Sequence, residues 1–149
     1  MTHEEKALQY FTDGANCAQA VVMAYADELG MDEKTAARLA SSFGGGIGRL
    51  REVCGAVSGM MMVYGLLKGY DDLKDPAAKK AHYANVQALA AKFRETNGSI
   101  ICREILSLQK GENNDATPTP RDAHFFHSRP CLGCVASAAK FLEEALKAE

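Results

Sequence analysis

From Asp75 to Gly98 the chain reads "DPAAKKAHYANVQALAAKFRETNG", a helix signed at both ends. Asp75 is a side-chain cap. Pro76 falls at the first helical position, where a missing N–H costs nothing, and Gly98 lies just past the end. The same punctuation recurs along the chain. Residues from His3 to about Thr12 form a short amphipathic helix with Ala7, Leu8 and Phe11 on one side. Asn16 caps "CAQAVVMAYADEL", which Gly30 ends, and Asp32 caps "EKTAARLASSF". Past a glycine-rich connection, "CGAVSGMMMVYGLLKG" reads as a fourth helix. Ser99 caps "IICREILSLQ", and Pro130 opens "CLGCVASAAKFLEEALKAE". No segment alternates apolar and polar residues, the signature of a strand. The spacing therefore predicts an all-α, single-domain bundle of six or seven helices over residues 1–149. A long polar loop at about 110–129, with Thr-Pro-Thr-Pro, is its one extended irregular stretch.

Such a bundle has material for a core, because 47% of the 149 residues are apolar. The formal charge of -2 gives no electrostatic reason to expect nucleic acid. "VCGAVSGMMMVYGLL" is shorter than the ~20 residues that span a bilayer. "MTHEEKALQYF" lacks the apolar core of a signal peptide. A cytoplasmic protein without membrane contacts is the expectation. In that compartment the five cysteines, Cys17, Cys54, Cys102, Cys131 and Cys134, are not a disulfide framework. Their odd number and wide spread point to catalysis, redox chemistry or metal binding.

The cysteines share a position. Cys17 follows the Asn16 cap, Cys54 leads the glycine-rich helix, and Cys102 lies in the first turn after Ser99. Cys131 follows Pro130, and Cys134 comes one turn later. A helix start offers free N–H groups and the positive end of the macrodipole, and both favour the reactive thiolate. "RPCLGC" could form a disulfide across one turn, although no βαβ pattern accompanies it. Val135, not His, follows Cys134, so c-type haem attachment is not expected. "HFFHSRPCLGC" also places His124, His127, Cys131 and Cys134 in a run resembling zinc spacing.

"FGGGIGR" could wrap an anion with backbone amides, with Arg49 or Arg51 pairing to phosphate. No strand precedes it, so it is not a dinucleotide fingerprint. The competing reading is that its glycines allow a tight turn that brings Cys54 to another cysteine. Met60, Met61 and Met62 read as core packing, and His82 as an ordinary histidine on the long helix.

With "NCAQAVVMAY", "SFGGGIGRLREVCGAVSG", "GSIICREIL" and "CLGCVASAAKFL" in view, the chain resembles the redox-active C_GCAxxG_C_C family from about Phe11 to Leu142. The glycine turn followed by Cys-Gly-Ala-x-x-Gly is its most specific part. The resemblance implies a helical domain whose separated cysteines approach each other. The family is linked to split-Soret cytochromes, but this chain lacks C-x-x-C-H. It carries two C-terminal cysteines where the family name counts one; Cys131 fits the spacing better, with Cys134 the alternative.

Three functions follow as expectations. The first is thiol–disulfide or electron-transfer chemistry, an oxidoreductase role at Cys17, Cys54, Cys102, Cys131 and Cys134, with an unidentified redox partner. Cys131–Cys134 is one candidate pair, and Cys54 with Cys17 or Cys102 another. The second is an iron–sulfur cluster or zinc on Cys17, Cys54, Cys102 and Cys131, with Gly44, Gly45, Gly46 and Gly55 supplying backbone amides around the cofactor. The third is a helical interaction module with incidental cysteines. Homo-oligomerisation is left open.

Overall fold

The most apolar helix has no solvent face, and the others gather around it. In the computed structural model it is α2, Cys17–Ala24, with Ala18, Ala20, Val21, Val22 and Ala24 all buried. The remaining helices are α1 His3–Thr12, α3 Ala26–Leu29, α4 Glu33–Ala40, α5 Gly55–Lys68, α6 Pro76–Asn97, α7 Cys102–Ile105, α8 Ala123–Ser128 and α9 Cys131–Lys147. The structure describes residues 1–109 and 111–148. Lys110, first in the expected loop, and Glu149, last in the expected final helix, lie outside the described residues. Helices α1, α4, α5 and α9 pack on α2, and α6 lies against α9. A helix enclosed this way must be apolar all round. Phe11, Tyr25, Met60, Phe93, Val135 and Leu142 fill the space between helices.

The fold is all-α, as the periodicity predicts. It has nine α-helices among the described residues instead of six or seven, for local reasons. The expected second helix breaks at Tyr25, whose φ of -107° and ψ of 12° leave the helical region. Its hydroxyl donates to the Ala139 carbonyl at 3.0 Å, which fixes the break against α9. The expected helix after Ser99 closes after one turn, with Ser107 in the left-handed region at φ 58°. Inside the expected loop, Asp122 accepts from the Phe125 N–H at 2.9 Å and nucleates α8. Met60 is fully buried and Met61 and Met62 pack against the core. No described helix is long and apolar enough to cross a membrane.

Two features outside the helices position the cysteines. The glycine-rich connection winds left-handed: Gly45, Gly46, Ile47, Gly48, Arg49 and Arg51 all have positive φ, between 54° and 73°. The N–H groups from Ile47 to Glu52 donate back to carbonyls between Ser42 and Ile47. The second feature is an isolated antiparallel bridge between Val53 and Ile101. Cys54 N–H donates to the Ile100 carbonyl at 2.8 Å, and Cys102 N–H to the Glu52 carbonyl at 2.6 Å. The bridge sets the start of α5 beside the start of α7.

Candidate functional site: a cavity lined by five cysteines

All five cysteines open onto one cavity of about 410 Å³. Their helices converge there with N-termini inward. Cys17, Cys102 and Cys131 are the first residues of α2, α7 and α9, Cys54 is the N-cap of α5, and Cys134 lies one turn inside α9. Asn16 holds the first of these starts with a reciprocal cap: its side chain accepts from Gln19 N–H at 2.8 Å, and the Gln19 side chain accepts from Asn16 N–H at 3.0 Å. All five thiols are free.

Close backbone approach makes the convergence possible, and two glycines show why. A Cβ on Gly55 would lie 2.9 Å from the Phe43 carbonyl oxygen and 3.2 Å from Cys17 Cβ. A Cβ on Gly46, at φ 73°, would lie 2.6 Å from the Glu52 nitrogen and 2.8 Å from Cys102 Cβ. Gly44, Gly45, Gly46 and Gly55 all line the cavity. The amides between Gly46 and Gly55, from Ile47 to Glu52, are committed inside the left-handed turn. On that side the wall presents guanidinium groups to the cavity.

The thiols act on one another in two pairs, Cys17 with Cys131 and Cys54 with Cys134, near enough for each to shift its partner's ionisation; the Cys134 sulfur itself lies 3.8 Å from Asn97 Oδ1, to which it donates. Within each pair one thiol is acidified and the other is not. Cys131 is lowered from 9.0 to about 7, first by the hydrogen bond from Cys17; burial opposes this, and Arg129, Arg121 and Arg51 add to it. Cys17 is correspondingly raised, by that hydrogen bond and by burial. Cys54 is lowered by the Cys134 hydrogen bond and, against burial, by the N–H groups of Ala56 and Val57 at the start of α5. Cys134 is raised by its bond to Cys54 and by burial. Cys102 stands apart: burial raises it, and Arg51 Nη1 lies 3.6 Å from its sulfur.

Four arginines, Arg49, Arg51, Arg121 and Arg129, share the cavity wall with the thiols, and among the described residues no carboxylate does. Arg49 donates to the Asp115 carbonyl at 2.8 Å and to Thr119 Oγ1 at 2.7 Å. Arg121 donates to the Phe11 and Ala15 carbonyls at 2.8 and 3.0 Å, with its guanidinium over the Phe11 and Phe125 rings. Arg129 lies over Phe125 and donates to Thr119 Oγ1 at 3.3 Å. Arg121 and Arg129 were not legible as site residues. The one local signal was Arg129 in "RPCLGC", two residues before Cys131.

His124 and His127 sit exposed on α8 and do not line the cavity, so the zinc-like run is not assembled. Among the described residues no three His, Cys, Asp or Glu side chains group as a metal centre would need. For a cluster or zinc on Cys17, Cys54, Cys102 and Cys131, the four residues therefore line one cavity without three of them gathering around one point.

Searches of curated proteins and of solved structures returned no match. A family model does match, over residues 15–145, and so takes in all five cysteines and the left-handed glycine turn. The chain therefore belongs to the family described as "Putative redox-active protein (C_GCAxxG_C_C)".

Proposed function

We propose that the cavity is a dithiol–disulfide redox site in which Cys131 is the attacking thiolate and Cys17 its resolving partner. The observation that carries this is the convergence of five free thiols, at or within one turn of helix starts, on one arginine-walled cavity; the partly exposed Cys131 is lowered to about 7 there, and Cys17 is raised. Thiol exchange needs that division of labour. The Cys131 thiolate attacks one sulfur of an incoming disulfide, forms a mixed disulfide and expels the other sulfur as a thiolate. Cys17 then gives its proton to that leaving thiolate and attacks Cys131 sulfur, so a Cys17–Cys131 disulfide forms and the second substrate thiolate leaves. Two electrons pass from the cysteine pair to the substrate. Cys54 and Cys134 repeat the unequal arrangement in the same cavity and form a second dithiol able to exchange with the first.

Thiols that act on one another two by two favour this chemistry over a metal centre on Cys17, Cys54, Cys102 and Cys131, which would need its ligands around one point. The test is anaerobic purification with metal analysis, then stepwise oxidation with disulfide mapping. The expected result is a metal-free protein losing thiols two at a time, with Cys17–Cys131 and Cys54–Cys134 links. Stoichiometric iron or zinc, lost in Cys54→Ser, would overturn it in favour of a thiolate-ligated centre.

A further inference from the structure

The thiols account for part of the cavity wall. Of the four guanidinium groups that share it, three help to lower Cys131, but four positive groups are more than one thiolate requires. Arg51 is the sharpest case. It is only 4% exposed, and its Nη2 is buried with no hydrogen-bond partner. Its Nε donates to the Asn113 carbonyl at 3.0 Å, and Nη1 reaches only the Cys102 sulfur at 3.6 Å. A buried guanidinium N–H without a partner is unfavourable and is kept only where something offsets it. Among the described residues no carboxylate does so: none of the four cavity arginines is ion-paired, and Asp115, whose carboxylate is influenced by Arg49, does not line the cavity; the Cys131 thiolate is the negative charge the site supplies against four guanidinium groups. Cys102 is held protonated by burial, so it brings no compensating charge. Arg49 is destabilised by burial and by Arg51, which marks an excess of like charge. The backbone adds a further sign, since both arginines are held at positive φ, costly for a side-chain-bearing residue.

We propose that the cavity selects a small anionic disulfide, whose negative group pairs with the guanidinium groups of the cavity wall, Arg51 foremost, while its sulfur faces Cys131. This rests on the dithiol reading and adds the substrate class to it. The cavity of about 410 Å³ lies in the range of small-molecule sites and far exceeds a bare oxyanion. Guanidinium is the donor suited to carboxylate or phosphate, with two parallel N–H groups. The reaction balances: the Cys17–Cys131 bond forms, the substrate S–S bond breaks, and two electrons leave the cysteine pair. One of the two released thiols takes the Cys17 proton.

The test uses three disulfides of similar size: dithiodipropionate (anionic), hydroxyethyl disulfide (neutral) and cystamine (cationic). Each reacts with the fully reduced protein at constant ionic strength, with rates normalised to those of mercaptoethanol. The anionic-to-neutral ratio is expected to exceed about tenfold, the yield of one charge-assisted hydrogen bond, and cystamine to be slowest. Arg51→Gln should lower that ratio about tenfold, and Arg51→Lys should restore part of it. The ratio cancels any change in thiol reactivity common to all probes. If Arg51→Gln does not fold, inorganic phosphate decides in the unmodified protein, by slowing the anionic probe and sparing the neutral one. Equal ratios for all three probes, with the protein still oxidised, would overturn the anion site and leave the dithiol reading standing. If all three probes are inert, the dithiol reading fails. The anion site is then decided by whether inorganic phosphate raises the melting temperature of the unmodified protein more than that of Arg51→Lys; no difference would overturn it.

Discussion

Removing the Cys17 sulfur should raise the value at which Cys131 ionises, and the size of the effect can be worked out in advance. Cys131 is lowered from 9.0 to about 7, and the Cys17 hydrogen bond is the first cause. At pH 7 that raises its thiolate fraction from about 1% to about half, roughly a 50-fold gain. A less basic thiolate is also a weaker nucleophile. A Brønsted slope of about 0.4–0.5 returns about sixfold to tenfold of the gain. The net expectation at pH 7 is that Cys131 reacts about fivefold to eightfold faster than an unperturbed thiol of equal access. The assay is iodoacetamide labelling of the reduced protein between pH 5 and 10, with each cysteine read separately by peptide mass spectrometry. In the unmodified protein the Cys131 rate should reach half its plateau near pH 7. In Cys17→Ala the midpoint should move up toward 9 without fully reaching it, because Arg129, Arg121 and Arg51 remain. A midpoint already near 9, or one unmoved by Cys17→Ala, would refute the paired-thiol account of the site.

In the same titration Cys102 and Cys134 should label only at higher pH than Cys131, because burial raises Cys102 and the bond to Cys54 raises Cys134. Arg121→Gln removes two hydrogen bonds to the end of α1 and the guanidinium between Phe11 and Phe125. It should cost about 1–3 kcal/mol in urea unfolding and also raise the Cys131 midpoint. Gly55→Ala should lose about 1–3 kcal/mol, because the new Cβ meets backbone at 2.9 and 3.1 Å and neither neighbour can swing away; a neutral result would mean that α2 and α5 have room to part. His3 lies stacked on Tyr25 at 3.9 Å and bonds both Glu28 and Glu143. The His3 hydrogen bond lowers the Glu143 carboxyl below its ordinary 4.5, so its contribution is complete above that value and is lost as pH falls through the lower folded one. The difference in urea midpoint between the unmodified protein and His3→Ala should therefore shrink on acidification below about pH 4.5.

Much of the fold comes from local rules that act within a few residues. Caps at Asn16, Asp32 and Asp75 and the stop at Gly98 are satisfied by neighbours two to four positions away, which is why they can be read from a single chain. The placement of each cysteine at a helix start is of the same kind. Helix breaks are less legible. The break at Tyr25 depends on the Ala139 carbonyl, and α8 is held by Phe125 under Arg121 and Arg129.

Which thiols meet is a tertiary matter altogether. Cys131 and Cys134, three residues apart in one helix, invite pairing with each other. In the packed structure each also lies where a thiol from another helix start acts on its ionisation, Cys17 on Cys131 and Cys54 on Cys134. The sequence by itself determined an all-helical chain whose cysteines stand at helix starts, because caps and periodicity are short-range. The gathering of the thiols on one cavity, the four arginines around them and the unpartnered Arg51 nitrogen arise only on packing. Those depend on how α2, α5 and α9 converge and on a two-residue bridge, Val53 to Ile101, that no strand pattern announces.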